Sequence, residues 1–490
     1  MPFFSPEAKD LLTLFGDLRE EPLEREAFAF PAESTRLLPA RRIKTAWGIK
    51  LRVLRRAFCE RKRRFSGFLP YFKNAACKTH LFLLYCSYRK RPRGASEPCG
   101  GRTLLFTGEK GVNMLKYGMV GGGKGAFIGE VHRKAMALDH RTELVAGCFS
   151  RDAGTNAESG AELGVSPDRV YADYNEMARA EGMREDGIDF VSIVTSNYCH
   201  ADACRAFLNN GINVVCEKPL ALTLPDAEEL TALAEGKGLL FMLTYTFAGY
   251  PMLRHAKKVV ERGDLGNIFM VMGEFPQDYL CGDFDDSSLG KFPWRSEPRF
   301  SGRTNSLGDI GSHIQFTTQY LTGLEIDSVC AKLDNIGPFG KLDTNSSVMV
   351  RFTNGATGMF WSSQVALGND NNFALRIYGE KGSIEWCNEA AEEFNLSLLG
   401  HPTMRIRKGH SYLGEDKFHN VTARLPFGHT EGLYAAFANL YLDYCEALEN
   451  KLQGKPYEIN FPTARDGLHG VRYIERCLES NESGQAWVKF

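Results

Sequence analysis

The sequence predicts an α/β protein: an N-terminal Rossmann dinucleotide-binding domain followed by an α+β domain with an open, mostly antiparallel sheet. Three observations predict it. From Met114 to Tyr245, short apolar strands alternate with stretches of helical spacing, the pattern of a parallel sheet covered on both faces. A glycine-rich run, Val120-Gly121-Gly122-Gly123-Lys124-Gly125-Ala126-Phe127-Ile128-Gly129, lies between the first strand and the first helix. From about Gly266, strands follow one another with few helices between them.

The elements follow in order. A buried strand over 115–120 runs into the glycines, and 127–138 has helical spacing, with Phe127, Ile128, Val131 and Ala135 available for one face. A strand over 142–149 and a helix over 153–163 come next. A strand over 188–195 precedes a helix over 201–210, closed by Gly211. A strand over 212–216 ends at Glu217-Lys218-Pro219, and a helix over 226–235 leads to a strand over 239–245. Strands are then expected over 268–275, 326–333, 346–352, 355–363, 372–378 and 383–386, with Asn354-Gly355 as a hairpin signal. Helices return over 437–448 and 463–477.

The chain has 490 residues, 43% hydrophobic and 24% charged, ordinary for a soluble globular protein of two or three domains. Apolar runs such as Leu81-Phe82-Leu83-Leu84-Tyr85 are far shorter than the roughly 20 residues a bilayer requires, so no membrane partner is expected. Thirteen scattered cysteines without a CxxC pair suit reduced thiols in a cytoplasmic protein.

The net charge of −1 conceals an asymmetry, since residues 1–113 carry 23 Lys and Arg against 11 Asp and Glu. Runs such as Arg61-Lys62-Arg63-Arg64 would suit a nucleic-acid or membrane-surface arm. A twin-arginine export segment is a second option, but Lys73 and Lys78 interrupt its apolar core. The preferred reading is upstream sequence translated in frame, with Met114 as the true start and no nucleic-acid partner. Lys110-Gly111-Val112-Asn113 can be encoded with a purine-rich ribosome-binding sequence just ahead of Met114. The expected organisation is a basic, non-native or disordered extension at 1–113, a Rossmann NAD(P)-binding domain at 114–245, and a substrate and oligomerisation domain at 246–490.

A dinucleotide pyrophosphate needs backbone amides close by at a helix N-terminus, and side chains block that approach. Gly121-x-Gly123-x-x-Ala126 fits the GxGxxA variant in its strand–helix setting; Gly125, Phe127 and Ile128 belong to the same turn. At the end of the second strand, Ser150 and Arg151 could hold a 2′-phosphate, whereas Asp152 could fold back onto a ribose. The cofactor is therefore NAD or NADP, with a slight lean to NADP.

In an open parallel sheet, ligands lie at the carboxyl ends of the strands. Two such ends are rich in polar groups: Thr195-Ser196-Asn197-Tyr198-Cys199-His200, and Glu217-Lys218-Pro219. A partly desolvated Lys218 could hold a substrate hydroxyl; alone it would read as a surface lysine. His200 suits a cap or packing role at its helix start. Asp309 and His313 are four apart on an expected helix and share a face. The dipole should keep Asp309 ionised, and His313, with an ordinary pKa near 6.5, could exchange a proton near neutrality. The plain alternative is a surface pair. A metal site is not expected, because no further His or Cys is spaced nearby.

Together these residues resemble the Gfo/Idh/MocA oxidoreductases, from about Tyr117 to the C-terminus. The resemblance rests on the glycine turn, the Thr195–Asn197 strand end, Glu217-Lys218-Pro219, and Trp294-Arg295 followed by Gly308-Asp309-Ile310-Gly311-Ser312-His313. It implies an NAD(P)-dependent dehydrogenase acting on a sugar, cyclitol or related polyol, in a homo-oligomer (dimer or tetramer). It also implies a catalytic set of Lys218, Asp309 and His313, with His313 taking the hydroxyl proton. Gln277, Asp278, Trp294, Arg295 and His429 are candidates for the substrate wall, and Thr195, Asn197, His200 and Glu217 for the cofactor site. The chain departs from the family pattern at Ser150, where some relatives are acidic. Tyr245-Thr246-Phe247-Ala248-Gly249-Tyr250 also lacks the Asn-Arg-Arg of many members. A cofactor-assisted glycoside hydrolase and a non-catalytic nucleotide sensor are the competing functions.

Overall fold

Five parallel strands form the first sheet: β1 (Leu115–Gly121), β2 (Thr142–Cys148), β3 (Phe190–Val194), β4 (Asn213–Cys216) and β5 (Phe241–Leu243), in the order β2-β1-β3-β4-β5. The computed structural model describes residues 114–281, 297–337, 341–413 and 423–490; the basic runs of 1–113 lie outside them. Every residue of β3 and β4 is buried, which is why these strands are mostly apolar, with Ser192 and Asn213 the polar exceptions.

The linking helices are α1 (Phe127–Leu138), α2 (Ala153–Glu162), α3 (Tyr174–Met183), α4 (His200–Asn209) and α5 (Leu224–Gly236). Asp152, Asp173 and Thr223 cap α2, α3 and α5 by accepting amides of the first turn. The strand order reverses across β1, between β2 and β3, and the carboxyl ends there form a ligand-binding edge.

After α6 (Pro251–Glu261) the chain builds a nine-stranded sheet. Its strands are β6 (Ile268–Pro276), β7 (Ile326–Asp334), β8 (Asn345–Phe352), β9 (Thr357–Ser363), β10 (Ala374–Gly379), β11 (Gly382–Cys387), β12 (Glu393–Leu398), β13 (Met404–Arg407) and β14 (Val488–Lys489). The order is β13-β12-β11-β10-β6-β9-β8-β7-β14, antiparallel except between β6 and β9. Along β8, Ser346, Val348, Val350 and Phe352 are buried while Ser347, Met349 and Arg351 face out, the alternation of a sheet with one covered face. At the predicted hairpin, Gly355 takes φ +89°, where a side chain would be strained.

Among the described residues, the long helices that follow are α7 (Ser312–Thr322), α8 (Leu433–Leu452) and α9 (Ala464–Glu482), the last opened by a Thr463–Asp466 capping box. Although α8 lies late in the sequence, it covers the parallel sheet. Tyr444 meets Phe190 edge-on at 5.3 Å, and Phe437 packs 4.9 Å from His132 of α1. The segment 246–490 therefore supplies a wall of the first core as well as the second sheet. No helix of the described residues is long and apolar enough to cross a membrane.

Candidate active site

The glycine turn leaves β1 through Gly121 at φ +81° and Gly122 at φ +71°, conformations that exclude ordinary side chains. A Cβ on Gly123 would lie 2.9 Å from the Phe149 carbonyl at the end of β2. One on Gly129 would lie 2.3 Å from Gly122 Cα, so α1 starts directly against the turn. Arg133, one turn further on, donates to the Gly122 carbonyl at 2.5 Å. Thr195 packs against Gly121, and its Oγ1 is buried without a hydrogen-bond partner. A close-approach backbone, a helix N-terminus and an unsatisfied hydroxyl fit a dinucleotide. Gly125, Ala126, Phe127 and Ile128 complete the turn; the Phe127 side chain is exposed, whereas Ile128 packs on the core.

At the end of β2, Asp152 Oδ1 accepts from Thr155 N at 2.8 Å, so this oxygen serves the helix cap rather than folding back onto a ribose. Ser150 Oγ accepts from Asp152 N at 3.1 Å. Arg151 is exposed, its guanidinium 5.8 Å from the Tyr198 ring centroid.

On β4's carboxyl end, Lys218 Nζ donates to the Asp309 carbonyl at 2.7 Å and to Asp309 Oδ1 at 2.8 Å. The lysine side chain is only 13% exposed. Gln364, buried at the end of β9, donates Nε2 to the other oxygen of Asp309 at 3.1 Å. Asp309 sits in a π-helical turn, Leu307–Gly311, that runs into α7. Such a turn widens the helix locally and is frequent at functional sites.

His313 follows in the first turn of α7, beside Tyr245, Phe247 and Phe275, with ring centroids 5.7, 5.1 and 6.1 Å away. Its Nδ1 is buried without a hydrogen-bond partner. Burial in this aromatic cage, with the Lys218 charge second, lowers its pKa to about 3. The expected exchange of a proton near neutrality is thus corrected: the resting imidazole is neutral throughout the physiological range.

Two residues expected at the cofactor have other partners. The Glu217 carboxylate turns inward. Its Oε1 accepts from Thr244 Oγ1 at 2.6 Å and lies 2.9 Å from His132 Nε2, while Lys218 N donates to Oε2 at 3.1 Å. Burial pushes the Glu217 carboxyl up, but His132, Thr244 and the Lys218 charge together bring it below its usual value. His132 completes the network through Nδ1, 2.6 Å from the Tyr441 hydroxyl of α8. The His200 ring lies between the Pro219 and Thr195 carbonyls, 2.7 Å from Nδ1 and 3.1 Å from Nε2, and burial favours its neutral form, which donates to one of the two. Asn197 and Asp309 share the lining of a small cavity of about 30 Å³.

The candidates for the substrate wall are more scattered. Gln277 Nε2 donates to Asn371 Oδ1 at 2.6 Å and Asp278 Oδ2 accepts from Gly368 N at 3.2 Å, so both brace the loop after β9. His429 is exposed, and its carbonyl accepts from Lys408 at 3.2 Å. None of these three has a described bond to Lys218, Asp309 or His313. Trp294 and Arg295 lie outside the described residues.

The Rossmann portion, residues 115–245, matches the model of the oxidoreductase family with an NAD-binding Rossmann fold, and 253–385 matches the GFO/IDH/MocA C-terminal domain. The chain belongs to the GFO/IDH/MocA oxidoreductase family. It is 33% identical over 394 residues to an uncharacterized oxidoreductase, YfiI, of Bacillus subtilis, covering 79% of this chain and 100% of that protein. It is 28% identical over 405 residues to the levoglucosan dehydrogenase of Pseudarthrobacter phenanthrenivorans, covering 76% and 97%. An inositol dehydrogenase homolog from Azotobacter vinelandii, solved with NAD+, is 32% identical with a TM-score of 0.72, covering 77% of this chain and 98% of that one. The same homolog is also known complexed with NADH and myo-inositol. The chain is therefore an NAD-dependent oxidoreductase of this family, whose nucleotide-binding portion contains the glycine turn.

Proposed function

We propose that the chain oxidises a secondary hydroxyl of a cyclitol or sugar, with Lys218, Asp309 and His313 handling the hydroxyl proton. The observation that carries this reading is the Lys218–Asp309 pair, with Lys218 just past the end of β4, two strands from the glycine turn, and a neutral imidazole within reach of its charge. The myo-inositol complex of the Azotobacter homolog and the levoglucosan dehydrogenase support a polyol substrate.

When bound, the nicotinamide supplies the hydride acceptor. Two of the three N–H groups of Lys218 are held by Asp309, which leaves one to orient the substrate hydroxyl. The ammonium stabilises charge developing on that oxygen. His313 accepts the proton as hydride leaves the carbon. In that step the hydroxyl becomes a strong acid, so an imidazole of pKa about 3 is basic enough. The same low pKa returns the proton to solvent at neutral pH and resets the site. Arg151, exposed at the end of β2, supports acceptance of NADP beside NAD.

The test is cofactor reduction by the full chain with NAD or NADP against inositols, aldoses and anhydrosugars. Reduction with one of them upholds the reading. Tight nucleotide binding with no reduction, or glycoside cleavage without net reduction, would replace it with a sensor or a hydrolase.

A further inference from the structure

The segment Leu342–Thr344, at the entrance to β8, grips the active site from behind. Asp343 is buried, and its carboxylate takes one backbone amide on each oxygen. Asn305 N donates to Oδ1 at 2.7 Å and Leu307 N to Oδ2 at 2.7 Å. The amide between them, Ser306 N, donates to the Asp343 carbonyl at 3.1 Å. These amides open the π turn that carries Asp309. A helix leaves its first amides without internal partners, and a local side chain ordinarily supplies the cap. Ser306 makes no such bond, so the cap comes from another element.

The neighbouring residue acts on the same carboxylate. The Thr344 carbonyl accepts from Gln364 N at 2.9 Å, and Gln364 in turn donates to Asp309 Oδ2. One short segment thus fixes the backbone leading to Asp309 and, through Gln364, its side chain. The opposite side of Asp309 holds Lys218.

Burial pushes the Asp343 carboxyl up to about 6, and the amides of Leu307 and Asn305 pull against it. A buried carboxyl is costly, yet an asparagine here would offer one acceptor oxygen and turn its N–H group toward a backbone N–H. Only a carboxylate caps both amides.

We propose that Asp343 is a positioning residue for hydride transfer, holding the π turn so that Asp309 presents Lys218 to the substrate hydroxyl. This rests on the reading of Lys218 and Asp309 given above. The test compares full-length wild type, Asp343→Asn and Gln364→Leu with NAD and myo-inositol, and measures amide hydrogen exchange over 305–309 without substrate. Asp343→Asn should lower kcat on the order of 10²-fold, as expected for misplaced reacting groups. Its KM for NAD should stay within about twofold. Exchange at 305 and 307 should quicken while β1 and β3 stay protected. Gln364→Leu should lower kcat in the same sense.

Wild-type kcat in Asp343→Asn, or a loss of NAD affinity that parallels the loss of kcat, overturns the proposal. If Asp343→Asn does not fold, Gln364→Leu decides: reduced kcat at unchanged KM for NAD upholds the clamp, and unchanged kcat overturns it. If the wild type does not oxidise myo-inositol, exchange decides instead. Faster exchange confined to 305–309 upholds the clamp whatever the substrate, and unchanged exchange refutes it.

Discussion

Replacing His313 with glutamine should change how stability depends on pH. The folded imidazole, caged by Tyr245, Phe247 and Phe275 beside the Lys218 charge, has a pKa of about 3, against roughly 6.5 in the unfolded chain. Its folded pKa is depressed. The titration therefore leaves stability unchanged above about 6.5 and lowers it progressively as pH falls toward about 3. Near pH 7 the titration contributes about zero. At about pH 4.5 the unfolded histidine has gained a proton and the folded one has not. That gap of about two pH units corresponds to about 2.5–3 kcal/mol. Glutamine keeps a polar group of similar reach but does not titrate. Urea unfolding of both proteins at the two pH values should show the wild type losing about 2.5–3 kcal/mol more than His313→Gln. Parallel losses would mean that His313 protonates freely in the folded protein, and the aromatic cage would not be what keeps it neutral.

Lys218→Ala should abolish turnover while NADH still binds, as followed by protein fluorescence; near-normal turnover would remove the mechanism. Gly129→Ala places a methyl 2.3 Å from Gly122 Cα and must push α1 off the glycine turn. Overpacking of this kind costs about 1–3 kcal/mol of folding stability, and calorimetry should also find NAD bound more weakly by the displaced turn. An unchanged Kd would mean that the turn yields without affecting the cofactor. Arg151→Ala should weaken NADP more than NAD; equal losses would deny Arg151 contact with a 2′-phosphate.

The sheet-forming elements were legible because burial leaves a local trace. The fully buried β3 and β4 are mostly apolar, and Asn354-Gly355 announced its hairpin. Strands β12 and β13 were missed: β12 carries a legible alternation of Phe394, Leu396 and Leu398, whereas β13, at the edge of the sheet, is dominated by Arg405 and Arg407. Helix α6 was missed as well; Pro251 at its start and the buried Arg254 disguise its packed face.

At the site, Lys218, Asp309 and His313 could be proposed because each sits in a short, dense motif. Their surroundings could not. The π turn adds a residue to a helical turn without changing composition. Asp343 and Gln364 act across 36 to 55 positions of sequence, where spacing carries no information. The low pKa of His313 depends on rings from two separate segments, Tyr245 and Phe247 in one and Phe275 in the other. The inward partner of Glu217 was out of view for a related reason: His132 is a polar residue on the buried face of α1, visible only once α8 is packed against it.

That packing bears on how such a protein can be recombined. By sequence, the nucleotide-binding segment ends near Tyr245, which would seem a natural seam for exchange between relatives. In three dimensions the seam is elsewhere. A fragment cut there would lose Phe437, Tyr441 and Tyr444, uncover the ring of Phe190, and leave His132 with one hydrogen-bonding side stripped. The unit that holds this core together is thus discontinuous: residues 115–245 with the helix at 433–452 and the approach to and first turns of the helix at 464–482, where Phe461, Ala464 and Val471 join the same cluster.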